Sequence, residues 1–154
     1  MPRRIVDRHA ARVLLLDDSG RVLLFRGWDP AEPDRKFWFT VGGGREDGES
    51  DRDAAVRELR EETGIVLDSD RLSGPVFTEH TEFGFGDRWI RQDQVFFRVT
   101  ITDTTIDTSG WEPLETQTMD RHRWWSRADL DTTTETYYPA ELPRLLDDAQ
   151  CNTA

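Results

Sequence analysis

The 154-residue chain has one cysteine, Cys151, and only three histidines, His9, His80 and His122, set far apart. A lone cysteine cannot close an internal disulfide, so no disulfide framework is available and a cytoplasmic setting is expected. The dispersed histidines form no metal-binding spacing. No apolar run approaches the roughly 20 residues that cross a bilayer, and the basic residues within Met1 to Arg8 are followed by no apolar signal core. Positive charge is also short, with 20 Lys and Arg against 31 Asp and Glu and a formal net charge of −11. That balance argues against a protein that grips long nucleic acid by releasing counterions. Internal repeats and long low-complexity linkers are absent.

What is present suffices for one core. Hydrophobic residues make up 36% of the chain, with six Trp and eight Phe, which predicts a single domain over residues 1–154. Ala11 to Leu16, the turn Asp17-Asp18-Ser19-Gly20, and Arg21 to Phe25 read as two strands joined tightly. Val76 to Thr81, Ile90 to Thr102 and Arg121 to Ser126 are further strand candidates, and Ala140 to Ala149 can form a closing helix. His122, within one of these strands, is expected to pack in the sheet. The pattern predicts an α/β fold with a mixed sheet covered by helices.

The most informative segment is GGREDGESDRDAAVRELREETGI, Gly43 to Ile65. Asp51 to Thr63 lacks Gly and Pro and is rich in Ala, Arg, Glu and Leu, which favours a helix. Ser50 is its N-cap candidate and Gly64 stands at the C′ position. On such a helix Glu58, Glu61 and Glu62 lie within one turn of each other and can project into neighbouring space. Clustered carboxylates repel, and an oxygen-seeking Mg²⁺ or Mn²⁺ would offset the cost. The bland alternative is a solvated face on which Arg57 pairs with Glu61 four residues on. Upstream, the apolar Phe37 to Val41 runs into Gly42, Gly43 and Gly44, and Ile65 to Leu67 follows the helix, so the segment reads as strand, glycine loop, helix, strand.

These residues resemble the Nudix hydrolase signature, G-x5-E-x7-R-E-U-x-E-E-x-G-U with U a bulky aliphatic residue. Gly43, Glu49, Arg57, Glu58, Leu59, Glu61, Glu62, Gly64 and Ile65 match all its fixed positions. The resemblance covers about Ala11 to Leu146 loosely and implies an α/β/α sandwich. It also implies a metal-dependent pyrophosphatase that cleaves a nucleoside diphosphate derivative to a nucleoside monophosphate and a second phosphate, inert without Mg²⁺ or Mn²⁺. Carried over by position, Glu58, Glu61, Glu62 and Glu49 would hold metal, one Glu of the set would handle the attacking water, and Arg57 would orient the acids. Gly43, Gly44 and Gly64 would shape the backbone. Val41 stands where many relatives have Pro, which bears on the stiffness of the loop and not on its chemistry.

Substrate contacts lie outside the signature. The turn-rich Gly27 to Lys36 is expected beside the site, with Trp28 able to stack on a base and Arg26, Arg35, Lys36 or Arg45 able to meet phosphate. Glu82 to Trp89, with glycines between aromatics, suits a lid or a hairpin tip. A further acid, from Glu79, Glu82, Asp93, Glu112, Glu115 and Asp120, would supply a base or ligand. Alternation along the strand would turn Asp93 into the cleft, and Glu112 and Glu115 would sit on a loop. The expected partner is a nucleotide-derived small molecule, with no membrane; the reading also admits a homodimer. A nucleotide sensor without turnover is the alternative of a different class. Isoprenoid isomerisation would need acid and base residues that the sequence does not offer.

Overall fold

The structure, a computed structural model, describes residues 3–111 and 113–151, with the side chains of 148–151 outside the description. The chain runs β1 (Arg4–Leu16), β2 (Val22–Gly27), β3 (Phe37–Gly44), α1 (Asp51–Thr63), β4 (Ser73–Phe85), β5 (Arg88–Thr100), α2 (Pro113–Thr118), β6 (Met119–Trp125), α3 (Arg127–Thr132), β7 (Tyr137–Tyr138) and α4 (Leu142–Cys151). A mixed sheet is ordered β4-β5-β1-β2-β3-β7, with β6 added on β2 and a further pairing of β1 with β3. The β1–β5 ladder is parallel from Arg4↔Arg88 to Leu16↔Thr100, and β3–β7 is also parallel. The other pairings are antiparallel.

Side-chain alternation along β1 and β2 divides the apolar residues between two faces. Ala11, Val13, Leu15, Leu23 and Phe25 pack with Ala54, Ala55 and Leu59 of α1. Leu14, Leu16, Val22 and Leu24 pack on the opposite face with Leu130 of α3 and Leu142, Leu145 and Leu146 of α4. The expected α/β/α sandwich follows, and strands apolar on both faces mark its centre. His122 sits on β6 against the Phe25 ring, 6.3 Å between centroids, with its other side exposed.

Three expectations need correction. The first strand starts at Arg4, well before Ala11, because its mixed polar half is held by the backbone ladder to β5. Ile65 to Leu67 is no strand. Ile65 and Leu67 pack on the core while Val66 is exposed, and the chain crosses to a short 3-10 turn at Ser69–Arg71 before pairing begins at β4. Glu115 lies in the short helix α2 rather than a loop; Glu112 falls outside the described residues. Glu82 to Trp89 is the tip of the β4–β5 hairpin, turning at Gly86 (φ +64).

Candidate active site

The acidic helix is built as its sequence dictates. Ser50 Oγ accepts from the Asp53 N–H at 3.1 Å, and Gly64 adopts φ +77, donating its N–H to Arg60 O at 2.8 Å. Helix phase buries Ala54, Ala55 and Leu59 on the sheet and turns Glu58, Glu61 and Glu62 toward the end of β3. Glycine makes that approach possible. A Cβ on Gly43 would stand 2.7 Å from the Glu58 carboxylate, and one on Gly42, whose φ is +141, would stand 2.3 Å from Ala11 O.

Arg57 ties the acids together. Its Nε and Nη2 donate to Glu49 Oε2 and Oε1 at 2.8 and 3.0 Å, a bidentate pairing that pulls the Glu49 pKa down. Nη1 donates to Glu58 Oε1 at 3.0 Å and Glu61 Oε2 at 3.2 Å, and Nη2 also reaches Gly44 O at 2.9 Å. Glu62 is not outward-facing: it is 3% exposed and accepts the Gly42 N–H at 2.9 Å. Burial raises its pKa well above the ordinary value, with Glu58 and Glu115 adding repulsion and the Gly42 bond and Arg12 opposing. Burial likewise raises Glu58, against the pull of Arg57.

These acids open onto a cleft of about 970 Å³. Its floor carries Arg8 and Arg12 of β1 with Gln92 and Gln94 of β5. Arg8 is drawn down to about 10 by burial and by the neighbouring Arg12 charge; burial also lowers Arg12, with Glu62 and Glu58 opposing. Trp28, Arg35 and Lys36 line the mouth from the β2–β3 loop, with Lys36 Nζ 3.5 Å above the Trp28 ring.

Of the residues expected from sequence, Arg57, Glu58, Glu61, Glu62, Gly43, Gly44 and Trp28 line this cleft, and Glu49 adjoins it through Arg57. Arg26 and Arg45 do not line it. Arg26 forms a two-point ion pair with Asp120, and Arg45 pairs with Asp51 at 2.8 Å. Asp93 is also displaced, because alternation turns Gln92 and Gln94 to the cleft and leaves Asp93 on the other face bonded to His80 Nδ1 at 2.8 Å. Glu79, Glu82 and Glu115 do line it. Arg8, Arg12, Gln92 and Gln94 escaped the sequence reading; they recur at even spacing on one face of β1 and β5, but several of their neighbours on the other face are also polar, so the sequence pattern does not single them out.

The NUDIX domain family model matches residues 6–146. The chain belongs to the Nudix family. An uncharacterized Nudix hydrolase of Bacillus subtilis, YvcI, is 47% identical over 66 residues, which is 43% of this chain and 37% of that protein. An RNA pyrophosphohydrolase of Erythrobacter litoralis is 32% identical over 149 residues, covering 90% of this chain and 80% of that one. The match thus spans about a third of the Bacillus protein's length and most of the Erythrobacter one's. Among solved structures, the E. coli dihydroneopterin triphosphate pyrophosphohydrolase aligns over 99% of both chains with a TM-score of 0.66 and 20% identity, a likeness of fold alone. No helix among the described residues of this Nudix chain is long and apolar enough to cross a membrane.

Proposed function

We propose that the protein is a divalent-metal-dependent pyrophosphohydrolase that cleaves a nucleoside diphosphate derivative, NDP-X, to NMP and P-X. The observation that carries this is the meeting of Glu58, Glu61 and Glu62 at a glycine strand, on the edge of a cleft whose floor bears Arg8 and Arg12. Carboxylates for a cation and arginines for an anion face one space.

The donor set fits Mg²⁺ or Mn²⁺ chemically. It is all carboxylate oxygen, and Glu58 and Glu62 are both held above their ordinary pKa by burial, so a cation would relieve them. Arg57 supplies the positive charge in the arrangement seen, and among the described residues no group of three or more His, Cys, Asp or Glu is disposed as a ready ion site. Glu49, Glu58, Glu61 and Glu62 are the residues that would hold the metal, which when bound neutralises pyrophosphate oxygens and acidifies water. Arg57 fixes Glu49, Glu58 and Glu61 relative to the Gly44 carbonyl. The cationic floor attracts the phosphates, and the candidate bases are the box glutamates and Glu115, whose charge acts on Glu58 and Glu62. The lone Cys151 suits a cytoplasmic setting for this activity.

Relatives named RNA pyrophosphohydrolases support adding a pyrophosphate-bearing RNA to the small nucleotides as a candidate substrate; with a net charge of −11, the chain would engage an RNA end and not its length. The grip of Arg57 on three acids favours one other reading, a sensor that binds nucleotide without turnover. A panel assay separates them. Nucleoside triphosphates, dinucleoside polyphosphates, ADP-ribose, NADH, coenzyme A and a triphosphorylated oligonucleotide are offered with Mg²⁺, Mn²⁺ or EDTA, and products are separated chromatographically. Metal-dependent cleavage that falls at least about a hundredfold in Glu61→Gln supports the hydrolase. Nucleotide binding without products supports the sensor, and full turnover in Glu61→Gln removes that residue from the metal set.

A further inference from the structure

The polar atoms of the cleft floor can be assigned as donors or acceptors by chemistry alone. Arg12 Nη1 donates to the carbonyls of Thr40 and Gly42 at 3.1 and 3.2 Å, and its Nε faces the side chain of Gln94 at 3.2 Å. A guanidinium only donates, so the Gln94 atom that meets it is the oxygen. The Gln94 amide nitrogen then points to Glu79 Oε1, 2.6 Å away, an acceptor that suits it. Gln92 also meets Gln94 Oε1, at 2.9 Å, and must present its own nitrogen there. Gln92 Oε1 is therefore the atom left outside this chain of bonds, and neither amide can be turned without setting two donors or two acceptors against each other.

Gln92 is 0% exposed, lines the cleft, and its Oε1 has no hydrogen-bond partner among the described residues. Arg8 is its register partner on the adjacent strand, and Arg8 Nε is buried without a partner as well. A donor and an acceptor, both buried and both without a partner among the described residues, thus belong to register partners on neighbouring strands of the floor. Such groups are retained at a cost unless something pairs with them.

We propose that Gln92 Oε1 reads the nucleoside part of the substrate, accepting a hydrogen bond from it beside the donor offered by Arg8 Nε–H. An ionised phosphate carries acceptors only and cannot satisfy Gln92. A base edge with N–H next to an acceptor satisfies both groups, and so does a ribose hydroxyl, which donates and accepts. The shared chemistry is a donor adjacent to an acceptor. This inference deepens the nucleotide-hydrolase reading and rests on it.

The test is calorimetric titration, with Mg²⁺ present, of AMP, GMP, CMP, UMP, ribose 5-phosphate and inorganic pyrophosphate into the wild type and Gln92→Met. Methionine keeps the length of the side chain and removes the acceptor. At least one nucleotide is expected to bind more tightly than ribose 5-phosphate or through its 2′-hydroxyl, and to lose about tenfold in Gln92→Met, while pyrophosphate affinity stays unchanged. Two analogues of that nucleotide on the wild type identify the source of the donor and need no variant. A tenfold loss for the 2′-deoxy form assigns the ribose, and the same loss for the form with its base N–H methylated or removed assigns the base. Equal losses for nucleotide and pyrophosphate in Gln92→Met, no loss for either, or no loss with both analogues would each overturn the proposal. The hydrolase reading fails separately, when the metal panel yields no products; an indifferent Gln92 with intact turnover sinks only the present inference.

Discussion

Arg57 contributes geometry more than charge. Its fork engages both oxygens of Glu49 while a third nitrogen holds Glu58 and Glu61, and a lysine cannot span these points at once. Arg57→Lys should keep the fold and lower metal-dependent turnover roughly ten- to a hundredfold, with the metal concentration for half-maximal rate rising; an unchanged metal dependence would show that the fork does not organise the acids. Glu62 gives a pH signature. Its folded pKa is raised, so in EDTA its contribution favours the fold below the ordinary glutamate value and is lost as pH rises through the raised one. Glu62→Gln keeps an acceptor for the Gly42 N–H and has no charge to bury. Its melting temperature relative to wild type should therefore climb between pH 5 and pH 8 in EDTA, and parallel curves would refute the assignment. The acids and Arg57 were legible in the sequence because all of them but Glu49 fall on one helix, where spacing fixes direction. Arg8, Arg12, Gln92 and Gln94 were not, because a polar residue in a strand looks the same whether its face meets water or a covered cleft.

At the level of elements, α1 was readable end to end. Composition, the Ser50 cap and the Gly64 stop all act within a few residues, and the helix spans Asp51–Thr63 as expected. Ser50→Ala removes the acceptor of the Asp53 N–H and should cost about 1 kcal/mol, a fall of roughly 2–4 °C in melting temperature, measurable by scanning calorimetry. A shift below half a degree would mean that the cap bears little on stability. Strand ends were less readable. Ile65 to Leu67 has strand composition but pairs with no strand among the described residues, while the polar start of β1 has a partner ladder that local sequence does not reveal. The cleft wall at α2 depended on the same kind of distant information, with Trp28 N–H bonded to Thr118 O at 3.1 Å.

For the whole molecule, the two apolar layers are separate clusters on opposite faces of one sheet. Leu59→Ala and Leu146→Ala, both at buried positions, should each destabilise by about 2–5 kcal/mol, and the double variant should show the sum within roughly 0.5 kcal/mol. Denaturant titration reads this directly; a larger departure would show that strain passes through the sheet. A mixed sheet covered by helices was foreseeable from the strand and helix candidates and its α/β/α layering from the Nudix resemblance, whereas strand order was not, since it depends on pairs far apart in the chain. The parallel β1–β5 ladder has a consequence for how the molecule comes into being. Every β1 residue from Arg4 to Leu16 finds its β5 partner 84 positions later, from Arg88 to Thr100. At a synthesis rate of roughly 5–20 residues per second, the apolar half of β1 is made several seconds before its neighbour exists, and the central ladder can close only after Arg88 to Thr100 has been added.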